Sequence, residues 1–382
     1  MRIVDNLRTT TLASAYGSHI AKPHLSSILY YITGHGYGHA VRSCQVIWSL
    51  KESCPESTVY VRSTVPEWLF EHPLYSVRRS TRSLDAGIVQ HDSLKMELQP
   101  TLEACKAIHA AVPAVIEEEI SFIRQHNIRL IVGDVPPLCF EIAARIGVPS
   151  VAITNFSWSG IYRGFLHALP EFGPLIEEME NFYRKTTLAL SLPYSCEMDI
   201  FRVREMIPFI TRSSALDARE ARDKFGLPRS ATVVLLSFGG HGLERLDLEK
   251  LLQQKDFFFV GTGEALRKER NLLILPNAQR NYVDLVRAAD VIVSKPGYGI
   301  VADVIRHQVP LLYTERGDFA EYPYLVEALQ DCATAEFIPP NDLISANLTP
   351  YLKILLSKEK HWPTVAVNGA SVAAEKVLSL LR

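Results

Sequence analysis

Ile28-Leu-Tyr-Tyr-Ile-Thr-Gly-His-Gly-Tyr-Gly-His-Ala40 decides the fold. Its opening, Ile28–Thr33, is an unbroken run of aliphatic, aromatic and β-branched residues, which predicts a strand buried on both faces. Glycines at 34, 36 and 38 then break the run, and from His39 to Ser53 the apolar residues Val41, Cys44, Ile47 and Trp48 recur at helical spacing. A buried strand that enters a helix through a glycine turn is the first half of a parallel strand–helix–strand unit.

The same reading repeats outward. Strands are predicted at Thr58–Arg62, Ile128–Gly133, Ser150–Thr154 and Leu188–Leu192, with a helix at Leu138–Ile146 closed by Gly147 and Pro149. After a pause the pattern restarts at Thr232–Phe238, Phe257–Val260, Leu272–Leu275, Asp290–Ser294 and Pro310–Thr314. The expected class is α/β, with two Rossmann-like parallel-sheet domains facing across a cleft. The expected division is a leader at 1–25, an N-terminal domain at 26–205, a C-terminal domain at 206–360 and a terminal helix within 361–382. That helix is read as Pro363–Leu381, with proline in the first helical position. In two-domain chains of this kind such a helix often crosses back to the first domain.

The 382 residues suit two cores of ordinary size. Net charge is −2, and no basic run marks a nucleic-acid stripe, so no nucleic-acid partner is expected. The six cysteines form no Cys-x-x-Cys pair and no His cluster has zinc spacing, so no metal site is expected and the thiols read as reduced. With no signal-type apolar segment at the start and no run long enough to span a membrane, a cytoplasmic location is expected, with peripheral membrane contact left open.

A second glycine turn, Ser294-Lys-Pro-Gly-Tyr-Gly299, echoes the first. In an open parallel sheet both lie at the carboxyl edge, where ligands bind. Gly297, Tyr298 and Gly299 open a helix whose N–H groups and dipole suit phosphate, and Lys295 adds a charge. Asp303, about one turn in, is placed to accept ribose hydroxyls; the plain alternative is a carboxylate serving only the helix dipole. Asp318 and Glu321 follow the next strand and are candidates for sugar hydroxyls. Ser237-Phe-Gly239-Gly240 leaves room for a phosphate or sugar. No Asp-x-Asp pair is present, which favours a metal-free donor site.

On the first turn, His39 and His35 are candidate bases, since histidine titrates near neutrality. Asp134, at the end of a predicted strand, is the candidate partner that orients the imidazole. Which histidine is the base stays open at this point.

These stretches resemble known sequences. Ser294–Asp303, followed by Val309-Pro310 and the acidic loop, resembles the donor signature of GT-B glycosyltransferases, among them the lipid II N-acetylglucosaminyltransferase and the UDP-glycosyltransferases. That family carries glutamate where this chain has Asp303, one methylene shorter. Gly38-His39 resembles the family's Gly-His turn. Closer still is the glycosyltransferase-like amino-terminal half of plant L-arabinokinases and their microbial relatives, through Tyr31–Ala40, Leu84–Asp92, Thr154–Tyr162 and Lys295–Gly299. The resemblance nominates Asp85, Gln90, Asp92, Asn155 and Trp158, with Gly36, Tyr37 and Gly38, as acceptor-side residues. This chain ends at Arg382 and shows no ATP loop of that kinase type, so kinase activity is not carried over.

The expected function is therefore metal-independent transfer of a sugar from a nucleotide-sugar, itself a substrate, to the hydroxyl of a small-molecule or lipid-linked acceptor. Displacement in one step implies inversion at the anomeric carbon. No cofactor is expected. The alternatives are a non-catalytic sugar- or nucleotide-binding module of the same fold, and an epimerase acting on a nucleotide-sugar.

Overall fold

The computed structural model describes residues 27–89, 96–238, 246–276 and 278–381. The predicted leader 1–25 and the candidates Gln90, Asp92, Gly239 and Gly240 lie outside the described residues.

Among the described residues, fourteen strands build two seven-stranded sheets. The first comprises β1 (Ser27–Ile32), β2 (Thr58–Arg62), β3 (Arg78–Ser80), β4 (Ile128–Asp134), β5 (Ser150–Thr154), β6 (Leu188–Ser191) and β7 (Arg204–Met206), in the order β3-β2-β1-β4-β5-β6-β7. All its pairings are parallel. The second comprises β8 (Thr232–Ser237), β9 (Phe257–Gly263), β10 (Arg267–Glu269), β11 (Leu272–Pro276), β12 (Val291–Ser294), β13 (Leu311–Tyr313) and β14 (Ala335–Phe337), in the order β10-β11-β9-β8-β12-β13-β14. Only its β10–β11 pair is antiparallel. Strands β3, β7, β10 and β14 escaped the sequence reading because each is a three-residue sheet edge with no fully buried residue, and so carries no buried apolar run.

Strand β1 shows why the apolar runs are continuous. Ile28, Tyr30 and Ile32 enter the core on one face of the sheet, and Leu29 and Tyr31 enter the core on the other. The first of these cores continues into the second domain through Val233, Ile292 and Val301. Helix Leu138–Ile146 ends at Gly147 (φ 69°), the left-handed cap its sequence announced.

The helix Tyr37–Ser53 corrects one expectation. Val41 and Trp48 are only half-buried, whereas His39, Ala40, Arg42, Ser43, Cys44, Val46 and Ile47 are buried. The helix is covered on several sides, so no single apolar stripe describes it. The terminal helix corrects another, because it begins at Gly369, not Pro363. Residues 366–368 run alongside the interdomain segment instead: Phe209 N–H donates to Ala366 O (3.2 Å), and Ile210 bridges Asn368. Gly369 N–H then donates to Phe209 O at 3.0 Å. The approach is close enough that a Cβ at Gly369 would lie 2.1 Å from Pro208 O. Past this point Ala373, Ala374 and Val377 pack the helix against Tyr37–Ser53 of the first domain, their small side chains permitting contact. Among the described residues, no helix is long and apolar enough to cross a membrane.

Candidate functional site

Each sheet reverses its strand order once, between β1 and β4 in the first and between β8 and β12 in the second. The crevice at such a reversal is where an open parallel sheet binds ligands. Both glycine turns, Gly34–Gly38 after β1 and Lys295–Gly299 after β12, stand at these reversals. They also meet: a Cβ on Gly299 would lie 3.7 Å from Gly38 Cα. A cleft of about 800 Å³ opens between them, lined from one side by Gly34–His39 and Asp85 and from the other by Ser294, Lys295 and Gly297–Ile300.

The helices that start at the two turns are both bare at their first turn. Gly36 and Gly297 precede them with no side-chain cap, and neither helix carries an acidic residue in its first turn. Their leading N–H groups and positive dipole ends therefore face the cleft, an arrangement suited to anions.

Parallel pairing of β1 with β4 sets Ile32 beside Asp134, so the end of β4 meets the turn that carries His39. His39 Nδ1 lies 2.7 Å from Asp134 Oδ1. Asp134 is fully buried; burial alone would raise its pKa, but the charges of Arg42 and His39 outweigh that and hold it at about 2. The ionised oxygen at this distance favours the tautomer with the proton on Nδ1 and the lone pair on Nε2, while Arg42 Nη2 also stands 2.9 Å from Nδ1. His39 lines the cleft. Ser43 Oγ donates to Asp134 Oδ2 at 3.0 Å, and Arg42 donates to both oxygens at 2.7 and 2.6 Å.

From Arg42 the network continues across the domain boundary. Its Nη1 donates to Asn155 Oδ1, and Asn155 Nδ2 donates to Glu321 Oε1 at 2.6 Å. Glu321 in turn accepts from Arg316 Nη1. Asn155 is fully buried behind the cleft wall and serves this connection. Glu321 lines the cleft with its carboxylate already engaged on both oxygens.

His35 plays a different part from His39. Its Nδ1 accepts the Ile88 N–H at 3.2 Å, so in the neutral ring the proton sits on Nε2. Burial, reinforced by the positive charges of His39, Arg316 and Lys295, lowers its pKa to about 3. With its one lone pair spent, His35 is a hydrogen-bond donor, which removes it as a base. It packs edge-on to Trp158, at 5.3 Å between ring centroids, and parallel to Phe319. Trp158 is wholly buried, its Nε1 donating to Asp85 Oδ2 at 2.7 Å. Burial pushes the Asp85 carboxyl up, against the hydrogen bonds of Thr33 and Trp158. Tyr37, partly exposed, lies at the rim edge-on to Trp68.

On the facing side, Ser294 donates to Ser237 O, and its own turn exposes Lys295, Gly297, Tyr298 and Gly299 to the cleft. Two expectations are corrected here. Asp303 does not line the cleft: it is 2 % exposed and paired through both oxygens with Arg212, which does line it. The shorter side chain stays beneath the surface, and a guanidinium stands in front of it. Asp318 is exposed and is not among the residues that line the cleft; its neighbour Phe319, just after the left-handed turn at Gly317 (φ 65°), is buried and lines it.

No known family profile matches the chain. Over 353 residues, 90% of its length, it is 30% identical to L-arabinokinase of Arabidopsis thaliana, and it spans about a third (33%) of that protein. It is 23% identical over 257 residues to an uncharacterized glycosyltransferase of Methanopyrus kandleri, covering 60% of this chain and 69% of that one. Among solved structures, Phytolacca americana UGT2 complexed with UDP-2-fluoro-glucose and pterostilbene superposes over 93% of this chain and 94% of its own, at 12% identity and a TM-score of 0.60. MurG of Acinetobacter baumannii superposes over 93% and 99%, at 12% identity and a TM-score of 0.53. The fold is GT-B. As in other GT-B chains, the two sheets face one another across the cleft that the glycine turns enclose.

Among the cleft residues that sequence reasoning missed are Arg42, Arg212, Arg316 and Phe319. Arg42 carried a usable signal, because it stands three residues after His39 and so on the same side of the helix. Arg212 carried none, since it lies in the irregular interdomain segment and reaches Asp303 across 91 positions of sequence.

Proposed function

We propose that this chain is a glycosyltransferase that moves a sugar from a nucleotide-sugar to an acceptor hydroxyl, without a metal ion and with inversion. The observation that carries the proposal is the buried His39–Asp134 pair opening on a cleft opposite the uncapped helix start at Gly297–Gly299. His39 Nε2 takes the proton of the acceptor hydroxyl, and the oxygen attacks the anomeric carbon. The bond from that carbon to the phosphate oxygen breaks, and the nucleoside diphosphate leaves with the electron pair. Asp134 holds the imidazole in position and balances its charge once the proton has moved.

The leaving diphosphate gains charge as the bond breaks, and the N–H groups at the start of helix Tyr298–His307 are preorganised to receive it. Lys295 and Arg316 line the same wall, and Arg316 Nε and the Tyr298 hydroxyl are buried with no hydrogen-bond partner among the described residues. The metal-free reading rests on this supply of cations and donors. UDP-2-fluoro-glucose and UDP in the complexes of similar GT-B proteins support a uridine nucleotide as the first donor to try. A cytoplasmic location belongs to the same reading, and the acceptor is a small molecule or a lipid-linked one.

One observation favours the second reading, a sugar- or nucleotide-binding module without transfer. Arg212 occupies the Asp303 carboxylate that would otherwise face a ribose. Release of nucleoside diphosphate from a panel of nucleotide-sugars, measured in EDTA with a cell extract as acceptor pool, decides between the two. Turnover that persists in EDTA and disappears in His39→Ala supports the transferase. Saturable donor binding without turnover supports the module, and turnover unchanged in His39→Ala removes the mechanism.

A further inference from the structure

We propose that Asp85 and His35 form an acceptor subsite that selects a carbohydrate by reading two neighbouring hydroxyls. The inference rests on the transferase reading above and names the acceptor class for it.

Asp85 lines the cleft and is 8 % exposed. An ionised carboxylate has about four acceptor positions. Trp158 Nε1 fills one on Oδ2 at 2.7 Å and the Thr33 side chain fills another, while on Oδ1 the Ser83 hydroxyl stands at 3.4 Å and is already directed to Asp85 O at 2.6 Å, so at least one position is left. Among the described residues none forms an ion pair with Asp85. Acceptor capacity is therefore left on a carboxylate that is cut off from bulk water. His35, against the same tryptophan ring, offers the opposite: an Nε2 proton, because its Nδ1 is spent on the Ile88 N–H. The loop that carries Asp85 is folded tightly onto His35, with Gly87 at φ 61° and space for no Cβ beyond 2.9 Å from His35 Cβ. The two groups are thus held as a fixed acceptor and donor.

A carbohydrate meets both at once. One hydroxyl donates to Asp85 and its neighbour accepts from His35, while each retains a further bond for water or for His39. A phenol offers a single hydroxyl, which satisfies both groups only by donating to Asp85 and accepting from His35 at once, whereas neighbouring carbohydrate hydroxyls supply one partner to each. An ammonium would suit Asp85 but would face the His35 N–H and the positive charges of Arg316 and Lys295 that already act on that ring.

The test is saturation-transfer NMR on the full chain, with methyl pyranosides of common pentoses and hexoses at millimolar concentration, in the presence of UDP. Saturable binding of at least one glycoside, weakened about 10- to 100-fold in Asp85→Asn, is the expected result. Loss of a single hydroxyl in the deoxy analogue should reproduce the weakening. His35→Gln, which keeps a donor, should bind more tightly than His35→Leu, and this pair serves if Asp85→Asn fails to fold. Binding of a phenol or an alkylamine but of no glycoside, or glycoside binding indifferent to both positions, overturns the subsite. Calorimetry with UDP alone reports separately on the donor side. Glycoside binding that persists where no nucleotide binds therefore upholds the subsite while the transferase reading fails.

Discussion

Asp134→Asn is the sharpest perturbation the cleft offers. The substitution keeps shape and removes charge from a residue that accepts from Ser43, twice from Arg42 and once from His39. An amide presents one oxygen and one NH2, so one of its ends must face a donor. Two estimates of the stability loss are available. The depressed pKa of Asp134, about 2 against 3.8, corresponds to about 2 kcal/mol. That figure counts only the charge on Asp134. Breaking a buried ion pair also strands Arg42, and such losses run to about 3–5 kcal/mol. The second is the better guide, since the charge partner is gone and the guanidinium keeps only neutral partners such as Asn155 and the face of Tyr298. For a chain of this size, where 1 kcal/mol moves Tm by about 1 °C, the expected fall in Tm is about 4–6 °C, read by circular dichroism. Turnover of a nucleotide-sugar should fall about 10²–10⁴-fold, because His39 loses the group that fixes its tautomer. The double variant Asp134→Asn/Arg42→Met separates the effects: removing the stranded cation should restore part of the Tm and none of the turnover. A single variant within about 1 °C (roughly the effect of under 1 kcal/mol) and within threefold of wild-type turnover would refute the reasoning.

Three further outcomes are expected. Because the Asp134 pKa is lowered on folding, its contribution is complete above the unfolded value of 3.8 and is lost as pH falls through about 2, so acid titration of wild type should lose about 2 kcal/mol in that window that Asp134→Asn does not lose. Equilibrium denaturation at stepped pH measures it, and parallel curves for the two proteins would count against it. Gly369→Ala places a Cβ 2.1 Å from Pro208 O, a backbone atom that cannot turn aside, so it should cost about 1–3 kcal/mol or more in chemical denaturation; an unchanged midpoint would show that the terminal segment does not hold the interdomain strand. Arg212→Ala should weaken nucleoside diphosphate binding about tenfold by calorimetry, as loss of one charged hydrogen bond does, and Asp303→Asn should weaken it by releasing Arg212. If Asp303→Asn tightens binding instead, the pair restrains the site and does not build it.

The division between what was legible in the sequence and what was not follows the range of the interactions. Strands such as Thr58–Arg62 and Ser150–Thr154 and the helix Leu138–Ile146 were readable to the residue, because periodicity, glycine caps and chain reversal act within a few positions. Both glycine turns were readable for the same reason, and parallel topology then put them at the carboxyl edges. The side chains at the cleft obey contacts 80–170 residues apart, roughly, and local pattern carries no trace of these. Asp303 and Asp318 looked equivalent to His39 and Asp134 by position. One is held by Arg212 from 91 residues away and the other stays exposed outside the cleft lining, and neither outcome shows in local pattern.

Signs alternate along the buried chain His39, Asp134, Arg42, Glu321 and Arg316, with Asn155 as a neutral link. In the proposed transfer, with His39 neutral the four charges cancel, and taking the acceptor proton would leave one net positive charge beside the wall proposed to receive the departing diphosphate. The proton taken and the charge gathered on the leaving group would then offset each other within one low-dielectric site, where such compensation is strongest. Asn155 and Glu321 make this compensation conditional on the domains being together, because their hydrogen bond is the step that crosses from one domain to the other. Under the proposed function, a chain held open would keep its His39–Asp134 pair and lose the counter-charges that Glu321 and Arg316 bring to it, so the proposed base and donor wall would be complete only in the closed arrangement.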